Sequence, residues 1–299
     1  MNASVRLLEE TLPATVHLRV EVPDNHPSAA VLGTERAGTG TLVDTGGLIV
    51  TVNYVVLGAP TAQVTLADGR EMVGEVVAQD FASGIAVLKI PAVSSSVLPV
   101  RTPPEVAVGD EVFIIASVGD GGRRASSGGV TSLASFDANW EYTLERAVFT
   151  TAMNPGLGGG PLIDVNGRLV GIVSLNLNEI GRFSLSIPIE CFREHRDELL
   201  RFGRRPSRPS RAWLGLYCYT LRTHVVIAGL LPGAPAEQAG LTQGDVILAV
   251  DDREVASRRE LYEHLWTHRA GERIVLRVYR NSEILTVAIT SGDVEEFFA

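Results

Sequence analysis

Most of residues 12–200 is cut into short runs of Val, Ile, Leu and Thr, each closed off by Gly, Asp or Pro. That segmentation constrains the fold more than any other feature of the chain. The runs fall at 14–22, 38–43, 48–52, 62–66, 71–79, 85–89 and 111–116. β-Branched side chains fit a pleated, half-buried surface, and runs of this length between turn residues predict strands. Ala67-Asp68-Gly69-Arg70 and Asn166-Gly167 supply tight-turn chemistry between neighbouring runs. Many strands at this spacing argue against alternating βαβ units and predict a sandwich or barrel. Residues 1–200 then form one all-β unit or two packed barrels.

A chain of 299 residues has room for about two domains. With 45% hydrophobic and 20% charged residues, its composition is neither disordered nor fibrous. The net charge of −9 argues against a general nucleic-acid binder, which carries a basic excess. Cys191 and Cys218 cannot build a disulfide framework and lack metal-ligand spacing, so no metal or cofactor is expected. Glu9 and Glu10 interrupt the N-terminal region, which has no apolar core of signal-peptide length. No stretch approaches the ~18 apolar residues of a membrane span. The expectation is a soluble cytoplasmic protein. A periplasmic chain already trimmed of its leader would look the same.

Residues 190–202 combine helical periodicity with strong charge. A linker follows at 201–211, with five Arg and no acid between Arg201 and Arg211. Its Pro and Ser content predicts a solvated spacer rather than an anion-binding patch. Residues 212–291 form a second unit, and 292–299 a tail. Strands are expected at 213–219, 225–228, 274–279 and 284–289. Ser257, with Glu260 three residues on, predicts a capping box for a helix over 258–267.

The second unit resembles a PDZ domain. The resemblance rests on Gly229-Leu230-Leu231-Pro232-Gly233-Ala234-Pro235-Ala236-Glu237-Gln238-Ala239-Gly240-Leu241, followed by Gly244-Asp245-Val246-Ile247. A PDZ domain captures a partner's C-terminus by adding it to a sheet edge, with the carboxylate in a nest of backbone N–H groups. The resemblance places that nest at Trp213-Leu214-Gly215-Leu216 and the pocket for the ligand's last side chain at Leu261 and Leu265. Core packing is the competing role for both of these Leu.

The first unit resembles the trypsin-like double β-barrel of the HtrA (Deg) serine proteases, which also carry a following PDZ domain. The fold class implied is mainly β, a double barrel and then a small α+β module. Three segments carry the likeness: Gly38-Thr39-Gly40-Thr41-Leu42-Val43-Asp44 through Ile49-Val50-Thr51-Val52-Asn53-Tyr54-Val55-Val56; Asp80-Phe81-Ala82-Ser83-Gly84-Ile85-Ala86-Val87-Leu88-Lys89-Ile90; and Asn154-Pro155-Gly156-Leu157-Gly158-Gly159-Gly160-Pro161-Leu162. In the family these segments hold the catalytic His, Asp and Ser. Here the three positions are Tyr54, Gly84 and Gly158.

Serine proteolysis needs an oxygen nucleophile, a base titrating near the working pH and a carboxylate to orient that base. Gly158 has no side chain and Gly84 has no charge. Tyr54 has an ordinary pKa of about 10 and is a poor base at neutral pH. Losing one triad member costs about 10⁴-fold in rate. The expectation is an inactive homologue, a pseudoprotease that binds peptides. Candidate replacement nucleophiles are Ser83, Ser117, Thr150, Thr151, Ser174, Ser184 and Ser186. None has a His nearby in sequence, and His17, His26 and His195 lie outside the motif segments.

Backbone N–H groups of Gly156 and Gly158 could retain an oxyanion-type pocket. The former substrate groove, by resemblance near Ser174-Leu175-Asn176-Leu177, could hold a peptide without cutting it. Expected partners are C-terminal peptides or unfolded proteins, and an active protease relative. The family forms trimers through aromatic residues near the N-terminus, whereas Tyr54 is the sole aromatic in the first 80 residues here. A homo-oligomer is compatible with this chain; the trimer does not follow. The rival functions are an active endopeptidase with displaced catalytic groups and a structural subunit of a larger assembly. The tail Asp293-Val294-Glu295-Glu296-Phe297-Phe298-Ala299 is expected to fray, its alternative being occupancy of a PDZ groove.

Overall fold

A computed structural model describes residues 3–102, 105–119, 122–178 and 181–299. The chain divides into two compact units. The first comprises Met1–Asp24, Leu32–Phe136 and Leu144–Pro206; the second comprises Asn25–Val31, Asp137–Thr143 and Ser207–Ala299.

The first unit contains two closed six-stranded antiparallel barrels. One is built from β1 (Thr15–Glu21), β2 (Glu35–Leu42), β3 (Leu48–Val52), β4 (Thr61–Thr65), β5 (Glu71–Asp80) and β6 (Ile85–Lys89), closed in the order β1-β2-β3-β6-β5-β4. The other uses β7 (Glu111–Ser117), β8 (Arg123–Asp137), β9 (Thr143–Thr150), β10 (Pro161–Asp164), β11 (Leu169–Leu177) and β12 (Phe183–Pro188), in the order β10-β11-β12-β9-β8-β7. Closure leaves no unpaired strand edges. Small residues let the strands approach: a Cβ on Gly40 would press into Ile49 and Val16. β3 is buried along its whole length and passes directly into the short helix α1 (Asn53–Val56), which carries Tyr54. In β11 the register to β12 shifts between Val173 and Leu175. This bulge takes the Ser174 backbone out of the regular ladder.

In the second unit β13 (Leu216–Leu221), β14 (His224–Leu230), β15 (Val246–Val250), β16 (Arg253–Glu254), β17 (Arg273–Arg280) and β18 (Glu283–Thr290) form one sheet. Its order is β13-β14-β15-β17-β18, with β16 beside β15. Helix α2 (Arg258–Leu265) buries Leu261, Tyr262 and Leu265 against Leu216, Ile227, Ile247 and Leu276. The expected capping box forms: Ser257 Oγ accepts from Glu260 N at 3.2 Å, and Glu260 Oε2 accepts from Ala256 N at 2.7 Å. Asp245, almost fully buried, holds Arg280 through two 2.6 Å bonds.

Three expectations need adjustment. The single helix over 190–202 is two, Glu190–Arg193 and Arg196–Phe202. The strand expected from residue 213 begins at Leu216, because Gly215 sits at φ +77 and breaks the extended chain. Part of the linker is fixed: Gly203 O accepts from Gln79 N at 3.0 Å, and Arg205 pairs with Asp80 at 3.2 Å.

Candidate functional sites

Tyr54 and Gly158, two of the three positions matched to the family's triad, lie against one another. Tyr54 Oη donates to Ser174 O at 2.8 Å, the carbonyl released by the β11 bulge. Burial pushes the Tyr54 phenol up to about 12. It is therefore a neutral donor, not a base. Gly158 lies directly opposite: a Cβ added there would overlap Tyr54 Oη and stand 3.1 Å from Ser174 O. The turn around it is tied down on both sides, with Thr39 N donating to Gly158 O and Gly159 N to Val173 O, each at 2.7 Å. Gly84 adopts φ +78 and accepts from Asn53 N at 2.7 Å, one residue before Tyr54. The tyrosine thus occupies the space a residue-158 side chain would need.

Nearby polar groups are already engaged. Asp80, four residues before Gly84, is buried and accepts from Ser83 Oγ at 2.5 Å and Ala82 N at 3.0 Å. Gly156 N–H, an expected oxyanion donor, points to Asn154 Oδ1 at 3.4 Å. Among the other candidate nucleophiles, Ser184 donates to Asn176 Oδ1 at 2.6 Å and Thr150 to Ala152 O at 3.1 Å. Ser117 is different. Its Oγ lies 2.9 Å from His17 Nδ1, a pair 100 residues apart in sequence. Ser117 O also accepts from Leu157 N at 2.9 Å, which puts the pair beside the Gly156–Gly158 turn. Ser117 itself is fully buried. Of the loop at 119–124, Asp120 and Gly121 lie outside the described residues.

The second site is the backbone nest of the second unit. Leu214 N, Gly215 N and Leu216 N converge, and all three donate to the carboxylate of Glu141, at 2.9, 2.7 and 3.0 Å. Gly215 permits the convergence through its positive φ, and a Cβ there would overlap Ala234. Trp213 lies beside the nest, and a Cβ on Gly215 would stand 2.9 Å from its ring. Its backbone pairs with Gly292, and its ring packs 4.7 Å from Phe297. Leu261 and Leu265 are completely buried in the core cluster. The tail does not fray as expected. The residues Val294–Phe297 form helix α3, and Phe297 and Phe298 brace Trp213 while Glu141 holds the nest. Neither Glu141 nor the Ser117–His17 pair was signalled by sequence. Asp137-Ala138-Asn139-Trp140-Glu141 has only the polar look of a surface turn.

Comparison with known proteins follows the same division. Residues 38–172 match the trypsin-like peptidase domain family, and residues 210–290 match the PDZ domain family. Over 277 residues the chain is 31% identical to the probable periplasmic serine endoprotease DegP-like of Halomonas elongata, covering 86% of this chain and 56% of that protein. The chain belongs to the HtrA family.

Serine endoprotease DegS of Haemophilus influenzae is 28% identical to this HtrA protein, over 87% of this chain and 77% of the relative. The chain spans about half the length of the DegP-like relatives it matches, 53–57%. In structure, HtrA-type protease AlgW with tripeptide superposes with a TM-score of 0.59 at 24% identity, over 98% of this chain and 97% of the other. The serine endoprotease from Yersinia pestis gives 0.58 at 24%, over 98% of each chain. At that identity the likeness concerns the fold. One expectation is overturned. The relatives are named periplasmic, against the cytoplasmic location expected from the N-terminal sequence. No helix of the described residues is long and apolar enough to cross a membrane.

Proposed function

We propose that this HtrA-family protein is a periplasmic pseudoprotease that binds protein C-termini or unfolded segments without cutting them. It would act as an adaptor, a chaperone-like holdase or a regulator of an active relative. The observation that carries this reading is the Tyr54–Gly158 contact. The space for a nucleophile is filled by a neutral phenol bonded to Ser174 O. Triad chemistry needs a base and an attacking oxygen in hydrogen-bond reach of one another, and neither residue supplies one. Binding rests on the nest and sheet edge of the PDZ unit, which suit a carboxylate and an added strand.

The test is incubation with an unfolded, fluorescently labelled casein, recording cleavage and anisotropy in one sample. Binding without cleavage is expected. The triple variant Tyr54→His, Gly84→Asp, Gly158→Ser serves as the comparison. A second reading, hydrolysis by displaced groups, draws on the 2.9 Å Ser117–His17 pair. Cleavage by the wild type that Ser117→Ala abolishes would establish it and overturn the first.

A further inference from the structure

Glu141 belongs to a segment, Asp137–Thr143, that clusters with the PDZ unit although it connects β8 to β9. Its contacts there follow the logic of a bound peptide. The Glu141 carboxylate uses all three N–H groups of the nest. Two residues earlier, Asn139 O accepts from Cys218 N at 2.8 Å, on the edge of β13 that faces away from β14. A period of two is the repeat of an added strand. Tyr262, from α2 on the opposite side, donates its hydroxyl to Ala138 O at 2.7 Å and accepts from Glu141 N at 3.0 Å. Arg258 bonds Asn139 Oδ1, and Arg259 pairs with Asp137 at 3.0 Å. Ala138 and Glu141 are both buried, at 1% and 6% exposure.

The segment also carries a conformational cost. Glu141 sits at φ +39, in the left-handed region that a residue with a long side chain seldom adopts. Such strain persists only where surrounding contacts over-determine it, and leaving the groove releases it.

We propose that Ala138–Glu141 is a built-in ligand of the PDZ groove. The Glu141 side chain stands in for the terminal carboxylate of a captured chain, and the groove opens to free C-termini only when this segment leaves. The inference rests on the PDZ binding reading and adds its regulation. A tethered occupant competes at an effective concentration of the order of millimolar. The apparent affinity for an incoming C-terminus falls by the fraction of molecules whose groove is open.

The test uses the full chain and a labelled peptide of residues 134–141 with a free C-terminus, followed by anisotropy. Glu141→Ala should bind it at least tenfold more tightly than the wild type. Asn139→Ala removes the bond to Arg258 from the tethered segment alone, and should bind more tightly than the wild type by a smaller factor. An amidated peptide with Gln in place of Glu should lose binding to Glu141→Ala. Equal affinity for wild type and both variants would overturn the built-in ligand while leaving PDZ binding intact. No binding to any of them would overturn both. Hydrogen exchange gives an independent readout. The amides of Leu214, Gly215, Leu216 and Cys218 should be protected in the wild type and exchange at least tenfold faster in Glu141→Ala, with β15 and β17 unchanged. Protection that persists in the variant would refute the proposal.

Discussion

The two sites of this molecule are both filled from within, but by different physics. At the protease positions a rigid aromatic ring, neutral and hydrogen-bonded to a bulged carbonyl, fits beside a glycine that makes room for it. Burial keeps the Tyr54 phenol neutral there. At the nest the occupant is a glutamate carboxyl group on a turn with positive φ, held by backbone donors. The first arrangement is a permanent plug. The second is, on the proposal above, a reversible one, because a strained backbone opposes the bonds that seat it.

The largest way to break this contrast is at Gly215. Gly215→Val puts a β-branched side chain at φ +77, where even a Cβ overlaps Ala234. A loss of about 3 kcal/mol in chemical denaturation is expected from strain and overpacking together. Peptide binding should vanish in both the wild-type and Glu141→Ala backgrounds.

Gly158→Ser tests the permanent plug. The new side chain collides with Tyr54 Oη, and overpacking should cost about 2 kcal/mol without any gain in casein cleavage. Adding Tyr54→His should restore most of that stability. A single Gly158→Ser variant as stable as the wild type would mean the ring is free to swing away.

The reversible plug should respond to pH. Burial lifts the Glu141 carboxyl to about 7 from 4.5, against the pull of the three N–H groups and Arg211. The other titratable groups facing it, Tyr217, Cys218 and Tyr262, are pushed upward by burial and stay neutral. Seating the segment therefore takes up a proton. It is fully favoured below about pH 4.5 and weakens as pH rises through about 7. Exchange at Leu216 and Cys218, corrected for intrinsic pH dependence, should accelerate roughly fortyfold between pH 5 and 7. Glu141→Gln should flatten that profile.

The smallest effect is expected for Tyr54→Phe. It removes one hydrogen bond to a backbone carbonyl, and a loss of about 1 kcal/mol should appear in denaturation without new activity.

The barrels and the PDZ module were legible because each rests on local signals: short β-branched runs, turn residues and a capping box. Tyr54 and Gly158, matched to the family's triad positions by their flanking residues, do lie against one another. What fills the sites was not legible. Tyr54 finds its partner through a bulge at Ser174, 120 residues away. Glu141 meets donors 73–75 residues further along. The Ser117–His17 pair joins β7 to β1 across 100 residues. Such pairings depend on closure of the fold, and no periodicity records them.

The seated turn also sets a clock. A peptide cannot enter a groove whose edge and nest are both taken, so each encounter waits for the turn to depart. The observed association rate should climb with peptide concentration and then level off at the departure rate of residues 138–141, whatever the sequence of the peptide. Capture by this protein would then be paced from inside the molecule, with the same ceiling for every partner.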